Sequence, residues 1–200
     1  MHLVFDIFQG IGIATAAGVR PFLPALLVGV LATEDVQIDF KGGDFSFLQG
    51  TPWLLAMVVC AIAMAYLERR LGQPRMDRRS ALVVGAIALG LGAIMFAGAL
   101  SQAHGHRTFG SAWPGYPAGL ACALVGVAAT RPLFARARAR LDVQASGAVS
   151  LYAEGIAVLV AVLSVVAPPA GIVALAALLW MIVAGRRRGE EKYAGLRILR

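Results

Sequence analysis

The sequence predicts an all-α, polytopic membrane protein of about six spans, arranged as a 3+3 inverted repeat with interrupted first and fourth helices. Three observations support this fold class: a very apolar composition, apolar runs of membrane length, and an Arg-Pro pair inside two of those runs. Of the 200 residues, 59% are hydrophobic and 14% are charged, and the mean hydropathy is +0.76. A soluble domain usually has about a quarter of its residues charged. This composition therefore predicts a chain that lies mostly in a bilayer.

The apolar runs are the candidate spans, because a helix that crosses the hydrocarbon core needs about 20 mostly apolar residues. Arg20-Pro21 divides the first run, and Arg131-Pro132 divides the fourth. The runs are 3–33, 53–68, 80–103, 115–141, 149–167 and 170–185. The longest connection, 33–52, is rich in phenylalanine and predicts an aromatic anchor at the membrane interface rather than a hairpin.

Basic residues are concentrated in alternate connections, and this alternation predicts the orientation of the chain. They lie between residues 69 and 79, in the 136–148 loop and from residue 186 onward, and few lie elsewhere. The positive-inside rule then predicts a multi-pass membrane protein with both termini, the 69–79 loop and the 136–148 loop in the cytoplasm. Because topology accounts for the net charge of +7, no nucleic-acid partner is predicted. Binding of anionic lipid is the alternative role for the basic segments.

Two segments resemble each other around the Arg-Pro pairs. AAGVRPFLPALL covers residues 16–27 and VAATRPLFARAR covers 127–138, so that the two Arg-Pro pairs align. Each segment precedes two ordinary spans, and two copies of three spans must have opposite orientations because three is odd. Inverted repeats of this kind are typical of secondary transporters. A chance match of two residues is the alternative.

The repeat gives the expected division of the chain. A first membrane repeat of three elements covers 1–103, an inverted second repeat covers 104–186, and a basic cytoplasmic tail covers 187–200.

The Arg-Pro pairs are the main candidate site. Pro21 is expected to break its helix, and a break exposes free carbonyls on one side and free N–H groups on the other. Arg20 adds a positive charge, so the break is expected to attract an anion, while Gly18 and other small residues allow close helix packing. Arg131 and Pro132 supply the second half of this site. The alternatives are that Arg20 snorkels to the headgroups and that Arg131 only sets the topology.

Glu154 is an acid inside the fifth apolar run. A carboxylate in the membrane is a functional hypothesis, because it can pair with Arg20 or Arg131, carry a proton or bind a cation. A boundary charge near the cytoplasmic face is the alternative. Asp6 and Glu68 lie near the ends of their runs and are secondary candidates.

No catalytic constellation is visible, so the sequence does not predict an enzyme. Gly10 and Gly12 form a Gly-x-Gly that follows no predicted strand, which argues against a dinucleotide fingerprint. His104 and His106 supply two potential ligands, and two ligands do not make a metal site. No cofactor and no metal are predicted.

Three stretches carry a family resemblance: GIGIATAAGVRPFLPALLVGVLA near the start, LERRLGQPRMD after the second run, and SLYAEGIAVLV opening the fifth. They resemble the small bacterial membrane proteins grouped as domain of unknown function 4126. The third stretch makes Ser150 a further secondary candidate. The chain departs from the family pattern at Gly72, Gln73 and Gly155, where charged residues are expected. The resemblance implies a membrane location and supplies no substrate.

Two functions remain open at this point. The first is a small transporter or channel for an anionic or amphipathic solute, which works as a homo-oligomer in the lipid bilayer and binds its solute between the two interrupted helices. The second is a non-transporting membrane factor that handles lipids or assists assembly.

Overall fold

The computed structural model describes the chain in four stretches: 2–71, 78–103, 108–138 and 143–196. Side chains are described over 3–67, 81–102, 108–134 and 148–186. Within these stretches the chain forms seven α-helices and one 3-10 helix, with no strand. The α-helices are α1 (His2–Val19), α2 (Phe22–Thr33), α3 (Thr51–Leu71), α4 (Arg78–Ala103), α5 (Gly115–Arg138), α6 (Val143–Val166) and α7 (Pro169–Leu196). The 3-10 helix is Asp44–Gln49, and the all-α prediction is confirmed.

Every apolar run predicted from the sequence forms helix. Four helices contain a stretch that is long and apolar enough to cross a membrane by length and composition: Ala81–Gln102, Gly115–Phe134, Ala148–Val166 and Pro169–Arg186. Three shorter apolar stretches are also helical: Leu3–Val19, Phe22–Thr33 and Thr51–Leu67. The first run differs from the others because it forms two helices.

The break between α1 and α2 lies at Arg20-Pro21, as the sequence predicts. The backbone N–H of Arg20 still donates to Ala16 O at 3.0 Å, which completes the last turn of α1. Pro21 is the N-cap of α2, and Pro24 lies in its first turn. A backbone N–H at either position has no hydrogen-bond partner within the helix, so the missing N–H of proline costs α2 no hydrogen bond. The two prolines therefore end one helix and permit the next to begin at Phe22.

The chain turns back at this break, so that α1 and α2 form a hairpin. Gln9 Nε2, in the first half of α1, donates to Gln37 O, just beyond α2, at 3.3 Å. Ile13 and Val28, from the middle of each helix, belong to the same buried cluster. The first run is thus two antiparallel helices rather than one kinked span.

The predicted interruption of the fourth run is wrong. Helix α5 continues through Arg131 and Pro132 to Arg138. A single proline removes one backbone donor and weakens a helix locally, and membrane helices tolerate this when neighbouring groups compensate. The Thr130 hydroxyl donates to Gly126 O at 2.7 Å in the turn before the proline. Unlike α2, α5 has no second proline one turn further on, and its helix continues.

Helix α4 runs antiparallel to α1. A Cβ added to Gly10 would lie 3.2 Å from the ring of Phe96, and one added to Gly92 would lie 3.3 Å from Ala14 O. As residue numbers rise along α1, they fall along α4. The two helices therefore point in opposite directions.

Helix α4 is also antiparallel to α5. A Cβ added to Gly115 would lie 2.6 Å from Ala97 Cα, and Arg131 Nη2 donates to Ala81 O at 2.6 Å. Since α1 and α5 are each antiparallel to α4, they run in the same direction. The two Arg-Pro segments thus cannot be related by a twofold axis in the membrane plane, and the inverted repeat does not fit the helix directions.

The ends of the bundle differ in composition. We call the end that contains Arg20, Ala81 and Arg131 the arginine end, and the end that contains Phe40 and Phe45 the aromatic end. Helix α1 begins at the aromatic end, and successive helices alternate in direction, so that α7 leads to the arginine end. The prediction of six spans with both termini on one side does not fit this order, because the hairpin adds one helix.

Glycines allow α1 to pack closely against several helices at once. A Cβ at Gly18 would overlap Ala123 O on α5, and one at Gly126 would lie 3.0 Å from Gly18 Cα. Across the bundle, a Cβ at Gly12 would lie 2.7 Å from Gly171 Cα on α7. Small residues at such crossings replace side-chain packing with direct backbone contact. They make α1 the central helix.

The 34–50 segment packs into the aromatic end of the bundle. Four of its large apolar side chains are at most 2% exposed: Ile38, Phe40, Phe45 and Leu48. Phe45 and Phe109 meet edge to face with ring centroids 4.9 Å apart, and Asp44 Oδ2 accepts a hydrogen bond from Phe109 N at 2.9 Å. Of the aromatic side chains predicted to form an interfacial anchor, Phe40 and Phe45 therefore lie in the core, whereas Phe47 is exposed.

Candidate functional site

Arg20 is buried between α1 and α6. The residue is only 7% exposed, so its side chain does not reach the headgroups. Its Nη2 donates to Ser150 Oγ, and its Nε lies 3.6 Å from Glu154 Oε1. Ser150 and Glu154 are four residues apart on α6 and therefore share one helix face. An isolated charge is costly in hydrocarbon, and the Glu154 carboxylate compensates that of Arg20.

Arg131 reaches across from α5 to the first turn of α4. Its Nη2 donates to the backbone oxygen of Ala81 at 2.6 Å. The guanidinium occupies the position that a side chain on Gly85 would need, since a Cβ there would overlap Nη2. Gly85 thus makes the room for this contact. Unlike Arg20, Arg131 is exposed.

Both arginines line one cavity at the arginine end. Its volume is about 180 Å³. Six helices, α1 to α6, contribute to its walls. The lining residues are Gly18, Val19, Arg20, Pro21, Phe22, Ala61, Met64, Ala81, Val84, Gly85, Ala88, Val127, Thr130, Arg131, Phe134 and Glu154. The charged side chains come from the α1–α2 break, α5 and α6, whereas the described lining residues of α3 and α4 contribute apolar side chains and backbone.

The described lining of the cavity carries a net positive charge. It includes two guanidinium groups and one carboxylate, whose formal charges add to +1. Guanidinium groups bind carboxylate and phosphate oxygens with paired hydrogen bonds. The arrangement is therefore suited to an anion, and it offers apolar contact beside the charged groups.

The structure brings most of the predicted site residues together. Gly18, Pro21 and Glu154 line the cavity with both arginines, and Ser150 bonds to Arg20. Pro132 lies beside Arg131 on α5 but does not line the cavity. Sequence analysis did not select Gly85, Thr130 or Ala81, because their roles depend on the contact between α4 and α5.

Other predicted positions lie away from this cavity or outside the described residues. Asp6 is half-buried near the start of α1, at the aromatic end. The Glu68 side chain, His104 and His106 lie outside the described residues. In the part of the chain that is described, no group of three or more His, Cys, Asp or Glu residues could hold a metal ion.

These features define a helical membrane protein whose bundle encloses a charged cavity at one end. The chain belongs to the family described as Domain of unknown function (DUF4126), whose model matches residues 7–188. The family resemblance seen in the sequence is thereby confirmed. No curated protein and no solved structure matches the chain.

Proposed function

We propose that the protein is a membrane carrier for an anionic solute, which binds in the cavity between Arg20 and Arg131. The observation that carries this proposal is the convergence of two arginines from α1 and α5 on one cavity with a net charge of +1. Charged side chains inside a membrane protein are costly to bury, and they usually mark a path for a solute or an ion.

A carrier fits the bundle better than an open channel. The cavity lies at the arginine end, whereas the buried side chains of the 34–50 segment fill the aromatic end. In alternating access, the binding site of each state is open toward one side of the membrane and closed toward the other. The aromatic contacts between Phe45, Phe47, Trp53 and Phe109 are the candidate gate.

The orientation of the bundle is part of this proposal. The basic segments at 69–79, 136–148 and from residue 186 onward connect or follow helices at the arginine end. By the positive-inside rule we assign this end to the cytoplasm of a bacterial inner membrane. The C-terminus is then cytoplasmic, and the start of α1 lies on the opposite side.

We also propose that the chain contains a repeat whose two halves are parallel rather than inverted. Helices α1 and α5 run in the same direction and each carries an Arg-Pro pair near its end, with α4 between the two groups of three helices. Parallel repeats, related by an axis along the membrane normal, also occur in secondary transporters. The matching positions of Arg20 and Arg131 at one cavity support this relationship.

Uptake into proteoliposomes tests the proposal. Labelled inorganic phosphate and labelled butyrate serve as probe anions. We expect saturable uptake of at least one of them, which falls at least about tenfold in Arg20→Ala and in Arg131→Ala. Arg186→Ala is the matched control, because Arg186 is an exposed arginine outside the cavity, and it should transport as the unaltered protein does. Equal uptake by all variants would reject the site.

Measurement of solute flux across the bilayer distinguishes a carrier from the alternative function, a lipid-handling factor. It predicts that an anion binds in the cavity and that no solute crosses the bilayer. The apolar side chains that α3 and α4 contribute to the cavity are the observation that favours this alternative.

A further inference from the structure

Helices α3 and α4 line the same cavity but make few contacts with each other among the described residues. Among the described residues, α3 packs on α2 and on the 3-10 helix, while α4 packs mainly on α1 and α5. Ala61 and Met64 of α3 nevertheless face the cavity together with Val84 and Ala88 of α4. Among the described residues, these two helices therefore form separate parts of the cavity lining with few contacts between them, and we call the space between them the gap.

The surfaces beside this gap are apolar. Ile62 and Tyr66 on α3 are 64% and 55% exposed, and Leu82 and Val83 on α4 are 57% and 58% exposed. In a bilayer, side chains of this kind contact lipid. A gap with such flanks would connect the cavity with the hydrocarbon region of a bilayer.

The polar and apolar parts of the cavity lie on different helices. Arg20, Arg131 and Glu154 come from the α1–α2 break, α5 and α6, whereas the side chains of α3 and α4 that are described beside the gap are apolar. A molecule bound here would have its charge on the first set of helices and its apolar part toward the gap.

The size of the cavity limits what it can enclose. Its volume is about 180 Å³. A phosphate or carboxylate with a few carbons fits such a space, whereas a long hydrocarbon chain has to continue outside it.

From these observations we propose that the cavity binds an amphipathic anion, with its oxyanion head between Arg20 and Arg131 and its hydrocarbon tail passing between α3 and α4 into the bilayer. This inference rests on the proposed anion site and adds the class of its ligand. The net charge of +1 matches a head with one negative charge, such as a carboxylate or a phosphodiester, and it also accepts a singly ionised phosphate monoester. Entry is lateral, from the membrane.

Equilibrium binding to the full chain in phosphatidylcholine nanodiscs tests this proposal. The probes are labelled dodecyl phosphate, labelled laurate and labelled inorganic phosphate, and empty nanodiscs measure the partitioning of the two amphiphiles into lipid. We expect saturable binding of at least one amphiphile, at least about tenfold tighter than that of inorganic phosphate. The comparison of dodecyl phosphate with laurate identifies the head group.

Two pairs of variants distinguish the binding of the oxyanion head from the binding of the hydrocarbon tail. Arg20→Gln should weaken the binding of all anions, with Arg186→Gln as its control. Ala61→Trp should obstruct the gap and weaken binding of the amphiphiles at least about tenfold more than it weakens binding of inorganic phosphate. Val59→Trp is its control, since Val59 is exposed on the same helix and does not line the cavity.

The possible results are distinct. Inorganic phosphate binding that equals or exceeds amphiphile binding in the unaltered protein would overturn the amphipathic ligand and leave the anion carrier standing. Binding of none of the probes would overturn both. The comparison of probes in the unaltered protein decides the question even where Ala61→Trp fails to fold.

Discussion

The Nε atom of Arg20 lies 3.6 Å from the Oε1 atom of Glu154, and the Glu154 side chain is 29% exposed whereas that of Arg20 is 9% exposed. The pair therefore joins a buried cation to a carboxylate that retains contact with the cavity. Such a carboxylate has two effects: it compensates the charge of Arg20, and it lowers the net positive charge available to a bound anion.

Replacing this carboxylate should change stability and anion binding in opposite directions. Glu154→Gln leaves Arg20 without its counter-charge, and we expect a loss of about 1–3 kcal/mol in the free energy of unfolding. The same change raises the formal charge of the cavity from +1 to +2, so the protein should bind inorganic phosphate more tightly, most clearly at low ionic strength. Denaturation in detergent and equilibrium phosphate binding measure the two effects.

The double variant Arg20→Gln/Glu154→Gln is the control for this pair. Because it removes both charges, its loss of stability should be smaller than the sum of the two single losses. Strictly additive losses would mean that the two side chains do not interact.

Gly85 should be essential for the position of Arg131. In Gly85→Ala the new methyl group overlaps Nη2 of Arg131, and the guanidinium must leave Ala81 O. We expect weaker anion binding, by about tenfold. Gly90→Ala is the matched control on the same helix, since nothing lies within 4 Å of a Cβ there. It should bind normally and be more stable by up to about 1 kcal/mol, because alanine favours helix. Equal binding by both variants would contradict the role of Arg131.

Sequence reasoning identified the helices and several site residues, but it did not predict how they are arranged. Long apolar runs specify helices because each one must satisfy its own backbone in lipid, and a charge inside a run is unusual enough to be noticed. Arg20 and Glu154 were found in this way, whereas Ser150 was selected from the family resemblance. A proline break, however, is compatible with either a kink or a reversal. The choice between them at Arg20-Pro21 depends on contacts distant in sequence, such as Gln9 with Gln37.

The other differences between the predicted and the observed arrangement also arise from tertiary contacts that local sequence patterns do not specify. Pro132 has the same local signal as Pro21, but it lacks a second proline one turn later, and α5 continues. The phenylalanines of the 34–50 segment suit either an interface or a core, and Phe40 and Phe45 lie in the core whereas Phe47 is exposed. Local patterns of this kind leave the tertiary arrangement undetermined.

Close contact between α1 and α5 should make Gly126 intolerant of larger residues. A Cβ there would lie 2.6 Å from Thr15 O and 3.0 Å from Gly18 Cα, and both neighbours are backbone atoms of a buried helix. We expect Gly126→Ala to lower the free energy of unfolding by about 1–3 kcal/mol. Gly155→Ala on α6 is the control, because a Cβ there meets nothing within 4 Å. Unfolding in detergent, followed by circular dichroism, compares them, and equal stability would show that the two helices are not packed so closely.

The hairpin at Arg20-Pro21 predicts that the start of α1 and the end of α7 lie on opposite sides of the membrane. With seven alternating helices, the start of α1 shares a side with the 34–50 segment, and the end of α7 lies on the other side. We expect Leu3→Cys and Ser46→Cys to react with a membrane-impermeant maleimide from one side of oriented vesicles, and Arg186→Cys from the opposite side. The native Cys60 and Cys122 are first replaced by alanine, and permeabilised vesicles confirm that each new cysteine can react. Reaction of Leu3→Cys and Arg186→Cys from the same side would require an even number of crossings. It would then contradict the reversal of the chain at Arg20-Pro21, on which the parallel relation of the two Arg-Pro helices and the shared cavity depend.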